Sequence, residues 1–369
     1  MTMTSPKSGG NRRLCSLPKT PPRVLSPSVA PNRARLIIVN QTKWVNGTVL
    51  HYYFFDKPTD GENVTLEDGS TRFASWVSTE AEKTVVHQAF KKWKDVGIGL
   101  EFKEVVSRGE AEVRIGFMRD DGAWSYIGRE VLRQGRDDRT MNFGWDITEP
   151  GEIDTAIHEI GHTIGFPHEH QSPNAGIVWN EEAVYAALAR PPNRWSRQTT
   201  FDNIISKIPS TEVRGSKWDP NSIMEYPFEA GLIQEPATYR NGLTPAGGLS
   251  QLDTTYAKTF YPPLTGADVT DLRPLQSVPL NIAAGEQKNL RIIPDETRSY
   301  EIRTVGTSDT VMVLFEDVAG ELRYRTADDD SGEDRNAFLR VRLFQGRTYM
   351  LRVRLYYSNR AGGTAVIMS

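Results

Sequence analysis

Cysteine is nearly absent from this 369-residue chain, and its one thiol, that of Cys15, cannot form an intramolecular disulfide. A small secreted scaffold held together by several disulfides is therefore excluded. With 38% apolar residues, the chain has enough hydrophobic side chains to build a sizeable core instead. Its length predicts two domains rather than one.

Long apolar runs and an excess of charge of one sign are also missing. No stretch approaches the roughly 20 apolar residues that a membrane-spanning helix requires, so we expect no membrane partner. The net charge of −3 gives no indication of a nucleic-acid surface. The N-terminus lacks the apolar stretch of a secretory signal, which favours a cytoplasmic location and leaves extracellular release open.

The N-terminal residues, 1–34, are rich in proline, serine and basic side chains. Such a composition cannot bury enough apolar surface to offset the entropy of ordering the chain. We therefore interpret 1–34 as a disordered segment that precedes the first domain.

Residues 35–264 alternate between strand-like and helix-like patterns, which predicts an α+β domain with a mixed sheet. A capping-box pair, Thr79 and Glu82, opens one helix that closes near Gly97. Asp154 is the expected N-cap of a second helix, which runs to about Ile164. The predicted strands are Arg35–Val39, Val49–Phe55 after an Asn46-Gly47 turn, Leu100–Val106, Ala111–Phe117, Trp124–Gly128 and Thr140–Trp145.

The pattern changes in the last part of the chain, residues 265–369. Short apolar runs there are separated by turn signals at 319–320, 345–346 and 361–363, and no helical period is present. This is typical of an all-β sandwich.

The most informative stretch is His158-Glu159-x-x-His162-x-x-Gly165-x-x-His168. On a helix, residues four apart share one face, about 6 Å apart, so the first two imidazoles can bind one Zn²⁺ at roughly 2.0–2.1 Å. Gly165 can adopt the positive φ that turns the chain and brings His168 to the metal as third ligand. Three protein ligands and one water make an open, catalytic site, whereas four protein ligands would make a closed one.

Glu159 lies one residue beyond the first ligand, where its carboxylate can reach a zinc-bound water. The predicted mechanism is hydrolysis of a peptide bond by that water, with Glu159 as the general base. The motif alone leaves two alternatives open. One is a catalytically silent zinc-binding protein that acts as a binding module through its β-sandwich, and the other is a zinc hydrolase of non-peptide bonds.

This motif resembles that of the metzincin metallopeptidases, and specifically the astacin family, in which a Glu follows the third His, as Glu169 does here. The segment Ser222-Ile223-Met224-Glu225-Tyr226 resembles the family's Met-turn. The resemblance implies a metzincin-like fold with an active-site helix, one catalytic zinc, and protein or peptide substrates. It implies that Met224 packs under the imidazoles and that Tyr226 is a catalytic residue, a switchable metal ligand whose hydroxyl stabilises the oxyanion.

The chain departs from the family at several positions. Glu225 stands where the family has His, and residues 1–40 contain no Asp-bearing, zinc-blocking motif. We expect Glu169 to be buried with a partner such as an arginine, since a buried carboxylate without a partner is costly. Of the other histidines, His51 and His87 are predicted to be packing or surface residues, and His170 to lie behind or outside the metal centre.

Residues 275–369 resemble the prepeptidase C-terminal domains that follow many secreted bacterial proteases. The resemblance implies a module that binds substrate polymers or calcium. The Asp328-Asp329-Asp330 run could supply oxygen ligands to Ca²⁺, although a solvated acidic turn is the alternative.

Overall fold

The computed structural model of the protein describes residues 13–20, 42–44, 46–66, 68–208, 217–263, 269–329, 331–357 and 360–369. The predicted strand Arg35–Val39 lies outside these residues. The described chain divides into two compact units. One contains the described residues up to 44 with 51–93 and 104–255, and the other contains 46–50, 94–103 and the described residues from 256 onward. The predicted domain boundary at 264–265 falls within the undescribed residues 264–268.

The first unit combines helices with short strands, as an α+β domain requires. Its helices are α1 (Glu80–Asp95), α2 (Ile153–Thr163), α3 (Glu181–Leu188), α4 (Arg197–Thr200) and α5 (Gln251–Phe260), the last of which continues into the second unit. The strands up to this helix are β1 (Val49–Phe54), β2 (Gly61–Thr65), β3 (Thr71–Ser75), β4 (Glu101–Glu104), β5 (Val113–Gly116), β6 (Trp124–Ser125), β7 (Met141–Asn142), β8 (Val178–Trp179) and β9 (Ile233–Glu235).

A mixed sheet supports the first unit, with neighbouring strands in the order β1-β5-β7-β6. Strand β5 runs parallel to β1, with Tyr52 opposite Val113, and parallel to β7, with Ile115 opposite Met141. The short edge strand β6 is antiparallel to β7. Side chains of β1 are buried from Leu50 to Phe54, as expected for a strand covered on both faces.

The capping box at the start of α1 is present as predicted. Thr79 Oγ1 accepts a hydrogen bond from Glu82 N at 3.2 Å, and Glu82 Oε2 accepts one from Thr79 N at 2.9 Å. At the other end of α1, Trp93 donates its indole N–H to the carbonyl of Ile157, 2.9 Å away in α2. Helix α1 is thereby fixed to the helix that carries the HExxH motif.

The predicted N-cap of α2 was wrong by two residues. The cap is Glu152, and Asp154 lies in the first turn of the helix. There the Asp154 carboxylate accepts a hydrogen bond from Gly248 N at 3.1 Å. An acidic side chain in the first turn stabilises the helix through the helix dipole. Asp154 therefore marks the start of α2, as predicted, but from the first turn and not from the N-cap position.

The second unit contains two sheets of predominantly antiparallel strands. Their strand orders are β10-β12-β17-β14-β15 and β11-β18-β13-β16. The strands are β10 (Val269–Asp271), β11 (Ser277–Ile282), β12 (Gln287–Ile292), β13 (Arg298–Val305), β14 (Thr310–Val318), β15 (Glu321–Asp328), β16 (Phe338–Leu343), β17 (Thr348–Leu355) and β18 (Gly362–Met368).

Buried side chains of both sheets belong to one hydrophobic cluster. In β13, Tyr300 and Ile302 are buried while the following residue, Arg303, is exposed, which is the alternation of a strand with one face on a core. Leu314 of β14 and Val366 of β18 come from different sheets and share this cluster. Among the residues that the structure describes, no helix is long and apolar enough to cross a membrane.

Candidate metal centre

Helix α2 holds His158 and His162 one turn apart on its buried face. Each imidazole is oriented by a backbone carbonyl: His158 donates its Nδ1–H to Ile223 at 2.8 Å, and His162 donates its Nδ1–H to Phe166 at 2.7 Å. Because a carbonyl only accepts, both rings carry their proton on Nδ1 and leave the Nε2 lone pair available. A hydrogen bond from the ring nitrogen that does not bind the metal, here Nδ1, to a backbone carbonyl is typical of metal-binding histidines.

Gly165 ends the helix and redirects the chain toward the same point. Its φ of +103° lies in the left-handed region, which glycine adopts without a steric cost. Three residues later His168 is buried, with its Nε2 3.1 Å from His162 Nε2. The predicted third ligand is therefore brought to the other two.

The donor atoms of these three histidines fit a zinc ion. In tetrahedral coordination, nitrogens at roughly 2.0–2.1 Å from zinc lie about 3.3 Å apart. The separation of 3.1 Å between the Nε2 atoms of His162 and His168 is close to this. His158 Nε2 is buried and has no hydrogen-bond partner among the described residues, so its lone pair is available to a bound cation. Burial lowers the pKa of His158 to about 4, so its imidazole is held in the neutral form that binds metals.

Glu159 lies beside the three nitrogens without joining them. Its side chain is fully buried, and this desolvation raises its pKa to about 8. Within the part of the chain that the structure describes, its Oε1 has no hydrogen-bond partner. A carboxylate of raised basicity next to a metal centre is suited to accept a proton.

The Met-turn segment lies against α2 as the resemblance implied. Met224 is buried beneath the helix, and a Cβ added to Gly161 would lie 2.4 Å from its sulfur. Gly161 is therefore required for the close approach of helix and Met-turn. The turn itself is held by Asp253, whose carboxylate accepts hydrogen bonds from Ser222 Oγ at 2.6 Å and Ile223 N at 2.8 Å. Sequence reasoning missed Asp253, because its partners are about 30 residues away in the chain.

Tyr226, the last residue of this segment, is placed at the metal centre. Its hydroxyl is 2.5 Å from His168 Nε2 and donates a hydrogen bond to the carbonyl of Cys15 at 2.6 Å. Burial, together with Cys15, raises the pKa of Tyr226 well above its usual value, so the phenol remains protonated. A protonated hydroxyl at this position is a hydrogen-bond donor beside the three histidines.

The N-terminal residues 13–20, termed here the cleft segment, lie in the first unit and reach the metal centre. Leu14 and Cys15 are buried. The Cys15 sulfur and one ring nitrogen from each of the three histidines all lie within 4.8 Å of one another. The interpretation of 1–34 as a single disordered segment thus does not describe residues 13–20. Composition could not reveal this, because the contacts of Cys15 are with residues more than 140 positions away.

Behind the ligands, two acidic side chains have partners that the sequence did not predict. Glu225 accepts a hydrogen bond from the Trp218 indole at 2.6 Å, and its other oxygen lies 3.4 Å from Nδ1 of the buried His170. Glu169 accepts a hydrogen bond from Asp219 N at 3.0 Å, so its described partner is a backbone amide and not the expected arginine. Burial raises the pKa of Glu169 to about 7.

The remaining histidines lie away from the centre, each beside a glutamate. His51 is buried, with Nδ1 3.1 Å from Glu112, and His87 is partly exposed, with Nε2 2.7 Å from Glu104. These positions agree with the packing and surface roles expected of them.

The acidic turn proposed for calcium is only partly described. Asp328 accepts hydrogen bonds from Ser331 N at 2.9 Å and Phe338 N at 2.8 Å, and Asp330 lies outside the described residues. These bonds stabilise the turn itself, and the calcium site stays a prediction.

Comparison with known proteins places this arrangement in a class. Residues 71–238 match the sequence model of the astacin family of peptidases. Part of the chain is similar to Protein SpAN of Strongylocentrotus purpuratus, with 29% identity over 153 residues, 40% of this chain and 22% of that protein. Tolloid-like protein 1 of Homo sapiens is 26% identical over 194 residues, 50% of this chain and 17% of that protein. The chain thus spans about a fifth of the length of these curated relatives.

A solved structure agrees with the sequence comparison. The structure of myroilysin is 30% identical, with a TM-score of 0.51, and the match covers 61% of this chain and 97% of that one. The fold and the three converging histidines define a metzincin-like metallopeptidase domain. The chain belongs to the astacin family.

Proposed function

We propose that this protein is a zinc-dependent endopeptidase that hydrolyses peptide bonds in proteins or peptides. The observation that carries the proposal is the convergence of three buried imidazole nitrogens, with the Glu159 carboxylate beside them and outside the ligand set. His158, His162 and His168 would hold the metal. When bound there, zinc supplies Lewis acidity that polarises a substrate carbonyl and makes water a better nucleophile at neutral pH.

Glu159 would move the proton in this reaction. Its carboxylate accepts a proton from the attacking water and returns it to the nitrogen of the leaving amine. The burial that raises its pKa to about 8 increases its basicity. The same intact carboxylate argues against the alternative of a catalytically silent zinc-binding module.

Tyr226 would act on the negative charge that develops on the carbonyl oxygen. Its hydroxyl already donates a hydrogen bond to a peptide carbonyl, that of Cys15, at 2.6 Å. A substrate carbonyl in a similar position would receive the same donor, and such preorganised donors stabilise the transition state more than the ground state.

For the second unit, we propose a β-sandwich accessory domain. The two sheets with one shared hydrophobic cluster support this architecture. The unit has no described metal-ligand group of its own, since among the described residues the only such group is that of Cys15 and the three histidines. A role in positioning substrate is compatible with this assignment.

The proposal is tested by cleavage of casein by the full chain, as purified and after brief treatment with trypsin that is then blocked by a serine-protease inhibitor. Lys19 offers trypsin a largely exposed site in the cleft segment. We expect casein cleavage that 1,10-phenanthroline abolishes and added zinc restores. Cleavage that the chelator does not affect would contradict the proposal. So would a chain that holds one zinc but cleaves casein neither as purified nor after trypsin treatment.

A further inference from the structure

Asn203 lies close to the metal ligands and has its side-chain amide fixed in one orientation. The residue is 5% exposed and belongs to a π-helix, Phe201–Ile205, that directly follows α4. Its Nδ2 donates a hydrogen bond to the carbonyl of Thr199 at 3.0 Å. Since a carbonyl only accepts, this bond identifies the nitrogen of the amide and leaves Oδ1 as an acceptor. Single π-helical turns are frequent at functional sites.

The residues that follow the third proposed zinc ligand, His168, hold this π-helix in place. His170 donates a hydrogen bond from Nε2 to the backbone carbonyl of Asn203 at 2.8 Å. Gln171 donates from Nε2 to two neighbouring carbonyls, at 2.7 and 2.9 Å. Both of these side chains are buried. The position of the Asn203 acceptor is therefore fixed relative to the metal centre.

The cleft segment shows which group this acceptor takes. Leu17 donates its backbone N–H to Asn203 Oδ1 at 2.8 Å. Two residues earlier in the chain, the carbonyl of Cys15 accepts the hydrogen bond from the Tyr226 hydroxyl at 2.6 Å. One stretch of backbone thus places a carbonyl at the proposed oxyanion donor and an N–H at Asn203. Every peptide without proline carries the same N–H and C=O groups, whatever its side chains.

We infer that Asn203 binds the substrate by accepting a hydrogen bond from a peptide N–H within two residues of the scissile bond. The inference rests on the proposed function, in which Tyr226 acts on the scissile carbonyl. An acceptor that is already fixed loses little side-chain entropy on binding, so it favours one register of the peptide. Proline has no backbone N–H and would leave this buried acceptor without a donor. Substrates with proline at that position should therefore be poor.

Peptide binding tests this contact without relying on turnover. The probe is a fluorescein-labelled casein peptide, chosen as the one that binds most tightly to the zinc-loaded Glu159→Gln chain, full-length or trypsin-treated. Its peptide nitrogens are methylated one at a time, and Kd is measured by fluorescence anisotropy. Methylation at one position should raise Kd about 10-fold, because the buried Asn203 acceptor then has no donor.

Removal of the acceptor separates this contact from the other effects of methylation. When Asn203→Ala is added to Glu159→Gln, methylation at that position should no longer raise Kd. Asn203→Ser, with a shorter side chain, replaces the alanine variant if the latter does not fold and bind zinc. Asn180→Ala is the matched control, because its described amide contact is with the carbonyl of Gly231, and it should keep the 10-fold penalty. A methylation profile that is the same with and without the Asn203 amide, or no binding of any casein peptide, would overturn the inference.

Turnover separates this inference from the proposed function. With Glu159 intact, a peptide with proline at the position found by methylation should have a kcat/KM about 10-fold below that of its alanine counterpart, and Asn203→Ala should remove this difference. Chelator-sensitive cleavage with no such dependence on Asn203 would refute the inference and leave the peptidase proposal standing. A binding penalty that depends on Asn203, in a protein that cleaves casein in neither form, would leave Asn203 as a peptide-binding residue and refute the peptidase proposal.

Discussion

Replacing Glu159 with glutamine is expected to lower kcat for casein by about 10²–10⁴-fold, the usual contribution of a general acid–base residue. Glutamine keeps the size of the side chain but cannot accept a proton from water. The reaction should be measured in whichever form of the chain, full-length or trypsin-treated, has the higher turnover. KM should change little, because Glu159 is not among the groups proposed to bind substrate.

Zinc content distinguishes loss of the base from loss of the metal. Since Glu159 lies outside the ligand set, Glu159→Gln should retain as much zinc as the wild type. Glu181→Gln is a suitable control, because Glu181 is exposed in the first turn of α3 and should leave turnover unchanged. Full activity of Glu159→Gln with zinc bound would remove Glu159 from the mechanism.

Replacing Tyr226 with phenylalanine should lower kcat by about 10²–10³-fold, the loss that follows removal of one oxyanion donor. The ring remains to pack against His168, 4.5 Å away between ring centroids, so the histidines should stay in place. The loss should appear in kcat more than in KM, since the hydrogen bond is strongest when the carbonyl oxygen carries negative charge.

Tyr226 also contacts the cleft segment, which provides a second measurement. Without its hydroxyl, the Cys15 carbonyl loses a donor at 2.6 Å, and the Cys15 thiol of the full chain should react faster with N-ethylmaleimide. Tyr239→Phe is the control, because the described ring contact of Tyr239 is with Trp218, and Tyr239 is not part of the described group of Cys15 and the three histidines. Unchanged kcat in Tyr226→Phe would remove Tyr226 from the mechanism and leave it only the contact with the Cys15 carbonyl.

Local patterns were sufficient to predict the centre of the site. His158, Glu159 and His162 follow from helical periodicity, and Gly165 and His168 lie within the next six residues. The positive φ of Gly165 agrees with the predicted turn. Met224 and Tyr226 required the family resemblance, because nothing in their own spacing indicates that the segment returns to α2.

Contacts between distant parts of the chain could not be predicted. Cys15 is 147 residues from His162, in a segment whose composition favours disorder, and its burial depends on amide groups such as those of Asn193 and Asn203. Being the only cysteine was the one available signal. The pairing of β8 with β9 joins strands more than 50 residues apart and was not predicted for the same reason.

The second unit was predicted better in its strands than in its pairing. Alternation and turn residues gave the strand character of Val311–Phe315 and Tyr349–Tyr356, which lie mostly in β14 and β17. The order of strands in two sheets depends on which apolar faces meet, and the alternation within one strand does not specify its partner.

The zinc content of the full chain, compared with that of His162→Ala, tests the central claim most directly. After dialysis against a weak chelator, the wild type should retain about one zinc per chain, because a tetrahedral site with several protein ligands binds the metal tightly. His162→Ala should lose it, while His87→Ala, which changes a partly exposed histidine outside the site, should keep it. Equal zinc in wild type and His162→Ala, or none in the wild type, would contradict the assignment of the metal centre.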